Sequence, residues 1–165
     1  MYGAGNGKLG EILGVSKTKA KNKNDHFLKN WPELSALIAK VKEAAQKNGY
    51  LKGLDGRKIY VRALYSALNT LFQGAGTVVM KKALVLCDTT LQKYGLRPGY
   101  EYEFVANVHD EFQIEALDED WDEESIPNLV GRIAAWSIAQ AGSEYNMRCP
   151  LEGEYQIGNN WAETH

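Results

Sequence analysis

The chain is poor in the residues that would staple it together or anchor it elsewhere. Its 165 residues include two cysteines, Cys87 and Cys149, too few and too far apart for a disulfide framework or a zinc site. Both are therefore expected to be buried free thiols in a reducing compartment. Of the three histidines, neither His26 nor His165 stands at a ligand-like spacing. No apolar stretch is long enough to span a membrane. The start, Met1-Tyr2-Gly3-Ala4-Gly5, lacks the basic flank and apolar run of a signal peptide, so a cytoplasmic location is expected. There is no internal repeat and no low-complexity linker.

What is present is ordinary globular composition, 44% hydrophobic and 24% charged. The length suits one domain at roughly 100–200 residues each. The formal charge of −2 conceals a division: residues 1–62 carry 13 Lys/Arg against 5 Asp/Glu, and residues 63–165 carry 6 against 16. The basic amino-terminal third suits an anionic partner, nucleic acid first among them. A solvated lysine-rich helix explains the same charge.

Periodicity predicts a short helix from Lys8 to Leu13, ended by Gly14. Lysines 17, 19, 21 and 23 alternate with small polar residues in the most exposed tract. A helix follows from about Asp25 to Lys47, with a kink or boundary at Pro32 and a stop at Asn48-Gly49. Two short strands flank Leu54-Asp55-Gly56-Arg57, a strong hairpin signal. A long helix is predicted from about Leu64 to Lys93. Leu68, Leu71, Phe72, Ala75, Val78, Val79, Ala83 and Leu86 form its buried stripe. Gly74 and Gly76 within it suggest close approach of another backbone. From Tyr102 to Ala116, alternation predicts two strands, with Phe104, Ala106 and Val108 facing one way on the first and Phe112, Ile114 and Ala116 on the second. An acidic loop spans Asp118 to Glu124. A further helix runs from Ile126 to about Asn146, and a short strand from Leu151 to Ile157. The fold class is α+β, long helices packed on a small antiparallel sheet.

Two constellations carry chemistry. Asp110 and Glu111, with His109 beside them, occupy the tip of the second hairpin. Adjacent carboxylates on a tight turn share one small volume and repel unless a cation is present. Magnesium takes one or two carboxylates plus water and phosphates, which makes Asp110 a candidate ligand. Solvated acidic turns are also common. Asn69 and Gln73 lie four apart on the long helix, on one face, with Arg62 just before it. Such donors suit the minor groove of a duplex, where every base pair offers an acceptor. A polar stripe facing solvent is the plainer alternative.

The order of motifs resembles the family A, or Pol I-like, DNA polymerases, in particular the phage T7 type. Tyr2-Gly3 is similar to the end of the motif B helix. Gly53-Leu54-Asp55-Gly56-Arg57 with Arg62, then Ala67-Leu68-Asn69-Thr70-Leu71-Phe72-Gln73 and Val108-His109-Asp110-Glu111, resemble the later blocks. Asn160-Trp161-Ala162 and the terminal His165 resemble the family's close. The resemblance spans essentially the whole chain, and the combination is far more specific than any single block.

By that resemblance, Asp110 is the motif C aspartate that binds two magnesium ions at the primer terminus, Glu111 its accessory neighbour, and His109 a residue near the primer end. Arg62, Asn69 and Gln73 match contacts to the primer–template minor groove. Tyr2 matches an aromatic near the templating base. Residues about 1–50 correspond to the end of the fingers and about 51–165 to the palm. The implied function is magnesium-dependent, template-directed nucleotidyl transfer from deoxynucleoside triphosphates in DNA replication.

The sequence departs from the family in what it lacks. No stretch resembles the motif A Asp-Tyr-Ser-Gln, and the motif B Lys and Arg would precede Tyr2. The chain is therefore expected to supply only part of the two-metal site and to need an upstream polypeptide. A non-catalytic primer–template binding fragment and a structural remnant are the alternatives. A metal-dependent nuclease built on Asp110 and Glu111 would need further ligands.

Overall fold

The computed structural model describes residues 5–117 and 125–164. The chain divides into two compact units, Met1–Ala75 and Gly76–His165.

In the first unit, α1 (Asn6–Leu13) ends at Gly14, whose φ of 62° lies in the left-handed region. The chain folds back closely there: a Cβ at Gly10 would sit 2.8 Å from the Val15 carbonyl oxygen. Ser16 then caps α2 (Lys17–Asn30), its hydroxyl accepting from the Lys19 amide at 3.4 Å. The lysine tract is thus helical, and the helix begins well before Asp25, because a serine cap and good helix formers coincide. The predicted boundary at Pro32 is a complete break. The residue before a proline is driven out of the helical region, and Trp31 sits at φ −128°, ψ 71°. Pro32 opens α3 (Pro32–Asn48), where its missing N–H costs nothing, and Gly49 closes it at φ 76°.

Strands β1 (Tyr50–Lys52) and β2 (Lys58–Tyr60) pair antiparallel, Leu51 opposite Ile59. Their turn closes through Gly53 N–H to Arg57 C=O at 2.8 Å, with Gly56 at φ 84°. After a 3₁₀ turn at Leu64–Ser66, α4 (Ala67–Lys93) begins. Val41, Ala45, Leu51 and Ala67 form this unit's core, flanked by Val61, Leu68 and Leu71. Gly74 meets a side chain, not a backbone: a Cβ there would lie 2.8 Å from Ile59 Cδ1. Gly76 has nothing within 4 Å, and nothing in the structure explains it. Phe72 is exposed, whereas Met80, Cys87 and Leu91 are buried. The predicted α4 stripe otherwise holds, with Val78, Val79 and Ala83 buried and Leu68, Leu71, Ala75 and Leu86 half-buried.

The second unit holds the remainder of α4, then β3 (Tyr102–Val108), β4 (Glu111–Ala116) and α5 (Ile126–Glu144). Cys87, Leu91, Tyr102, Val130 and Ile133 make its core, with Phe104, Phe112 and Ile114 packed against it. Tyr102 is 2% exposed and its hydroxyl donates to Asp88 Oδ1 at 2.6 Å. Lys82 and Glu144 pair at 2.6 Å between α4 and α5. Cys87 is buried as expected, but Cys149 is exposed on the segment after α5, beyond any core that would cover it.

The expected α+β class is observed, with the sheet divided into two separate two-stranded ribbons. The predicted strand at Leu151–Ile157 does not form. This segment lies along α5, with Leu151 over Gly142, Gly153 over Ala135 and Tyr155 over Gly131. Helix backbone groups are already bonded within the helix, so they leave no ladder for a strand to join. The predicted acidic loop at 118–124 lies outside the described residues.

Candidate functional site

The β3–β4 ribbon turns through two residues, His109 and Asp110, between the paired Val108 and Glu111. His109 adopts φ 54°, a conformation few side chains accept and that two-residue hairpin loops demand. His109 and Asp110 are consequently exposed at the tip, while Glu111, the first residue of β4, is half-buried.

A bulge lies between Phe104 and Ala106, where the register shifts. Val105, the unpaired residue, is 64% exposed. Phe104 is opposite Ile114 on the core face, whereas Ala106 is opposite Gln113 and Val108 opposite Glu111. Directly opposed residues share a face, so the bulge moves Ala106 and Val108 to the Glu111 side. Phe104 does not share their face, contrary to simple alternation. Bulges commonly re-aim side chains in this way. The alternation of apolar residues continues unbroken through the sequence, which is why the switch is invisible there.

Gln113, which sequence reasoning passed over, donates from Nε2 to Glu111 Oε1 at 2.9 Å. The period-two spacing of residues 111 and 113 was the available signal. One Glu111 oxygen is thereby engaged, while Asp110 presents an exposed carboxylate. Among the described residues no three His, Cys, Asp or Glu side chains gather where they could hold a metal ion. The hairpin's hard oxygens fit one or two positions of a magnesium shell that is otherwise filled by water and phosphate.

Arg62, Asn69 and Gln73 belong to the first unit. Arg62 is exposed in the segment between β2 and the 3₁₀ turn. Asn69 and Gln73 lie one turn apart on α4, about 6 Å along the axis. Asn69 is half-buried, and its Oδ1 is enclosed with no hydrogen-bond partner among the described residues. Such an orphan costs about 1–3 kcal/mol. Gln73 is exposed and makes interactions of its own. Tyr2 and His165 lie outside the described residues.

A sequence profile described as DNA polymerase family A matches residues 1–163. The chain belongs to DNA polymerase family A. Among its relatives are the DNA-directed DNA polymerases of Enterobacteria phage T3 and Escherichia phage T7, each 34% identical over alignments covering the whole chain. The chain spans 25% of the length of either relative. The fold is similar to the POL domain of Pol1 from M. smegmatis, solved with DNA primer-template and dNTP. That likeness has a TM-score of 0.69 at 22% identity, over 85% of this chain and 25% of that one. No helix among the described residues is long and apolar enough to cross a membrane.

Proposed function

We propose that this family A chain contributes the primer-terminus side of a DNA-directed DNA polymerase site, working with an upstream polypeptide on primer–template DNA and deoxynucleoside triphosphates. The observation that carries the reading is the β3–β4 turn, where a left-handed His109 leaves the Asp110 carboxylate projecting at an exposed tip. Asp110, with Glu111 as the accessory, would hold magnesium. When bound there, magnesium lowers the pKa of a primer 3′-hydroxyl and neutralises charge on the phosphates. Gln113 orients Glu111 through its 2.9 Å hydrogen bond. His109 would stand beside the primer end. The second carboxylate and the cations for the triphosphate would come from the upstream polypeptide. In this reading, residues about 1–50 are the end of the fingers, with Tyr2 near the templating base, and about 51–165 the palm.

Arg62, Asn69 and Gln73 would contact the minor groove of the primer–template. The side-chain amides of Asn69 and Gln73, one turn apart on α4, carry the N–H donors that minor-groove acceptors require, which supports this assignment. We expect Asn69→Ala to weaken duplex binding several-fold while leaving the thermal midpoint unchanged or raised. A lowered midpoint with unchanged duplex affinity would make Asn69 a structural residue.

The decisive test of function is primer extension on a primed template with magnesium and four deoxynucleoside triphosphates. The chain is assayed alone and with a polypeptide carrying the motif A carboxylate and motif B cations. Synthesis is expected only when both are present. Duplex binding without synthesis under either condition would favour the non-catalytic primer–template fragment.

A further inference from the structure

The basic end of the first unit points to a second nucleic-acid contact, distinct from the hairpin and the minor-groove residues. Helix α2 carries Lys17, Lys19, Lys21, Lys23 and Lys29 against a single acid, Asp25. The four lysines from 17 to 23 are exposed, and none pairs with an acidic side chain among the described residues. Nor do they serve the helix. Its first turn holds no acidic residue, and lysines there oppose the helix dipole.

The placement of these charges matters more than their number. Lys19, Lys23, Phe27 and Trp31 follow one another at intervals of four, so they form a single ridge along α2 and its cap. The ridge is about 18 Å long at 1.5 Å per residue. Its first half is cationic and its second half aromatic. Phe27 is 37% exposed and Trp31 58% exposed, and their ring centroids lie 6.5 Å apart at a 36° tilt. Exposed rings continuing a row of unpaired lysines match the two things a single strand offers: phosphates to neutralise and unstacked bases to cover a ring face. A duplex keeps its bases stacked on one another, and an acidic peptide carries no regular series of free bases along its charges.

We propose that the α2 ridge binds single-stranded nucleic acid, its lysines on the backbone and Trp31 as the stacking platform. The contact does not depend on the polymerase reading of the hairpin.

The test is fluorescence anisotropy of the full chain with a labelled oligothymidylate of about 12 nucleotides, across a salt series, with an equal-charge polyglutamate as competitor. In a Lys19→Gln/Lys23→Gln variant, the slope of log affinity against log salt should fall by about 1.4, at roughly 0.7 per lost contact on a single strand. Trp31→Ala should weaken binding on the order of ten-fold without changing that slope, and Trp31→Phe should stay near wild type. All of these positions are exposed, so the variants should fold, which circular dichroism checks. An unchanged affinity in Trp31→Ala, or polyglutamate competing as well as the oligonucleotide, overturns the proposal. Loss of oligonucleotide binding with duplex binding retained in the lysine variant separates this surface from Arg62, Asn69 and Gln73.

Discussion

At the scale of single residues, the hairpin tip depends on a backbone conformation as much as on a carboxylate. A non-glycine residue held in the left-handed region costs on the order of 1–3 kcal/mol, and His109 bears that cost at φ 54°. His109→Gly should therefore match or exceed the wild type in chemical denaturation, whereas His109→Val should lose about 1–2 kcal/mol, β-branched residues being the worst suited to positive φ. Equal stability of the two variants would mean that the turn is not under this constraint. A second residue-scale expectation concerns Tyr102. Burial, reinforced by the hydrogen bond to Asp88, pushes its phenol up to about 12 from an ordinary value of 10.0. The fold favours the neutral phenol, so its contribution is intact below about pH 10 and is lost as pH rises through about 12. Cys87, pushed up to about 12 by burial, acts in the same direction. Denaturation between pH 8 and 11 should show stability falling with pH, and falling less in Tyr102→Phe. Parallel profiles for the two proteins would contradict the assignment.

At the scale of elements, most of the boundaries were legible because they are written in local chemistry. Gly14, Gly49 and Gly95 each stop a helix at positive φ, and Asp55-Gly56 sits where a hairpin needs it. The exceptions have separate causes, a local cap in one case and backbone or tertiary placement in the others. The α2 start depended on Ser16 as a cap, and the β3 face switch on a bulge with no composition of its own. Leu151–Ile157 alternates like a strand but lies against α5, where glycine governs the approach. A Cβ at Gly153 would stand 2.7 Å from the Ala135 carbonyl oxygen and 2.9 Å from its Cα. Both atoms are backbone and have little room to give, so Gly153→Ala should cost about 1–3 kcal/mol by overpacking. A thermal midpoint equal to wild type would show that the tail does not rest on α5 as described.

At the scale of the whole molecule, the motif order carried the family assignment, and the match over residues 1–163 bears it out. The site was legible in part. Val108-His109-Asp110-Glu111 marks its position at a hairpin tip in the sequence, but Gln113's hold on Glu111 and the left-handed backbone of His109 needed three dimensions. The chain spans 25% of the length of its phage relatives, and under the proposed function it is one contributor to a larger catalytic assembly. The central claim is that Asp110 acts at the reacting centre of that assembly and is not a solvated turn residue. Its most direct test is single-turnover incorporation of one nucleotide by the complemented chain, wild type against Asp110→Asn, a change that keeps the side chain's size and removes its charge. We expect a fall in rate on the order of 10³-fold or more, with primer–template affinity little changed. Incorporation at the wild-type rate would remove Asp110 from the site.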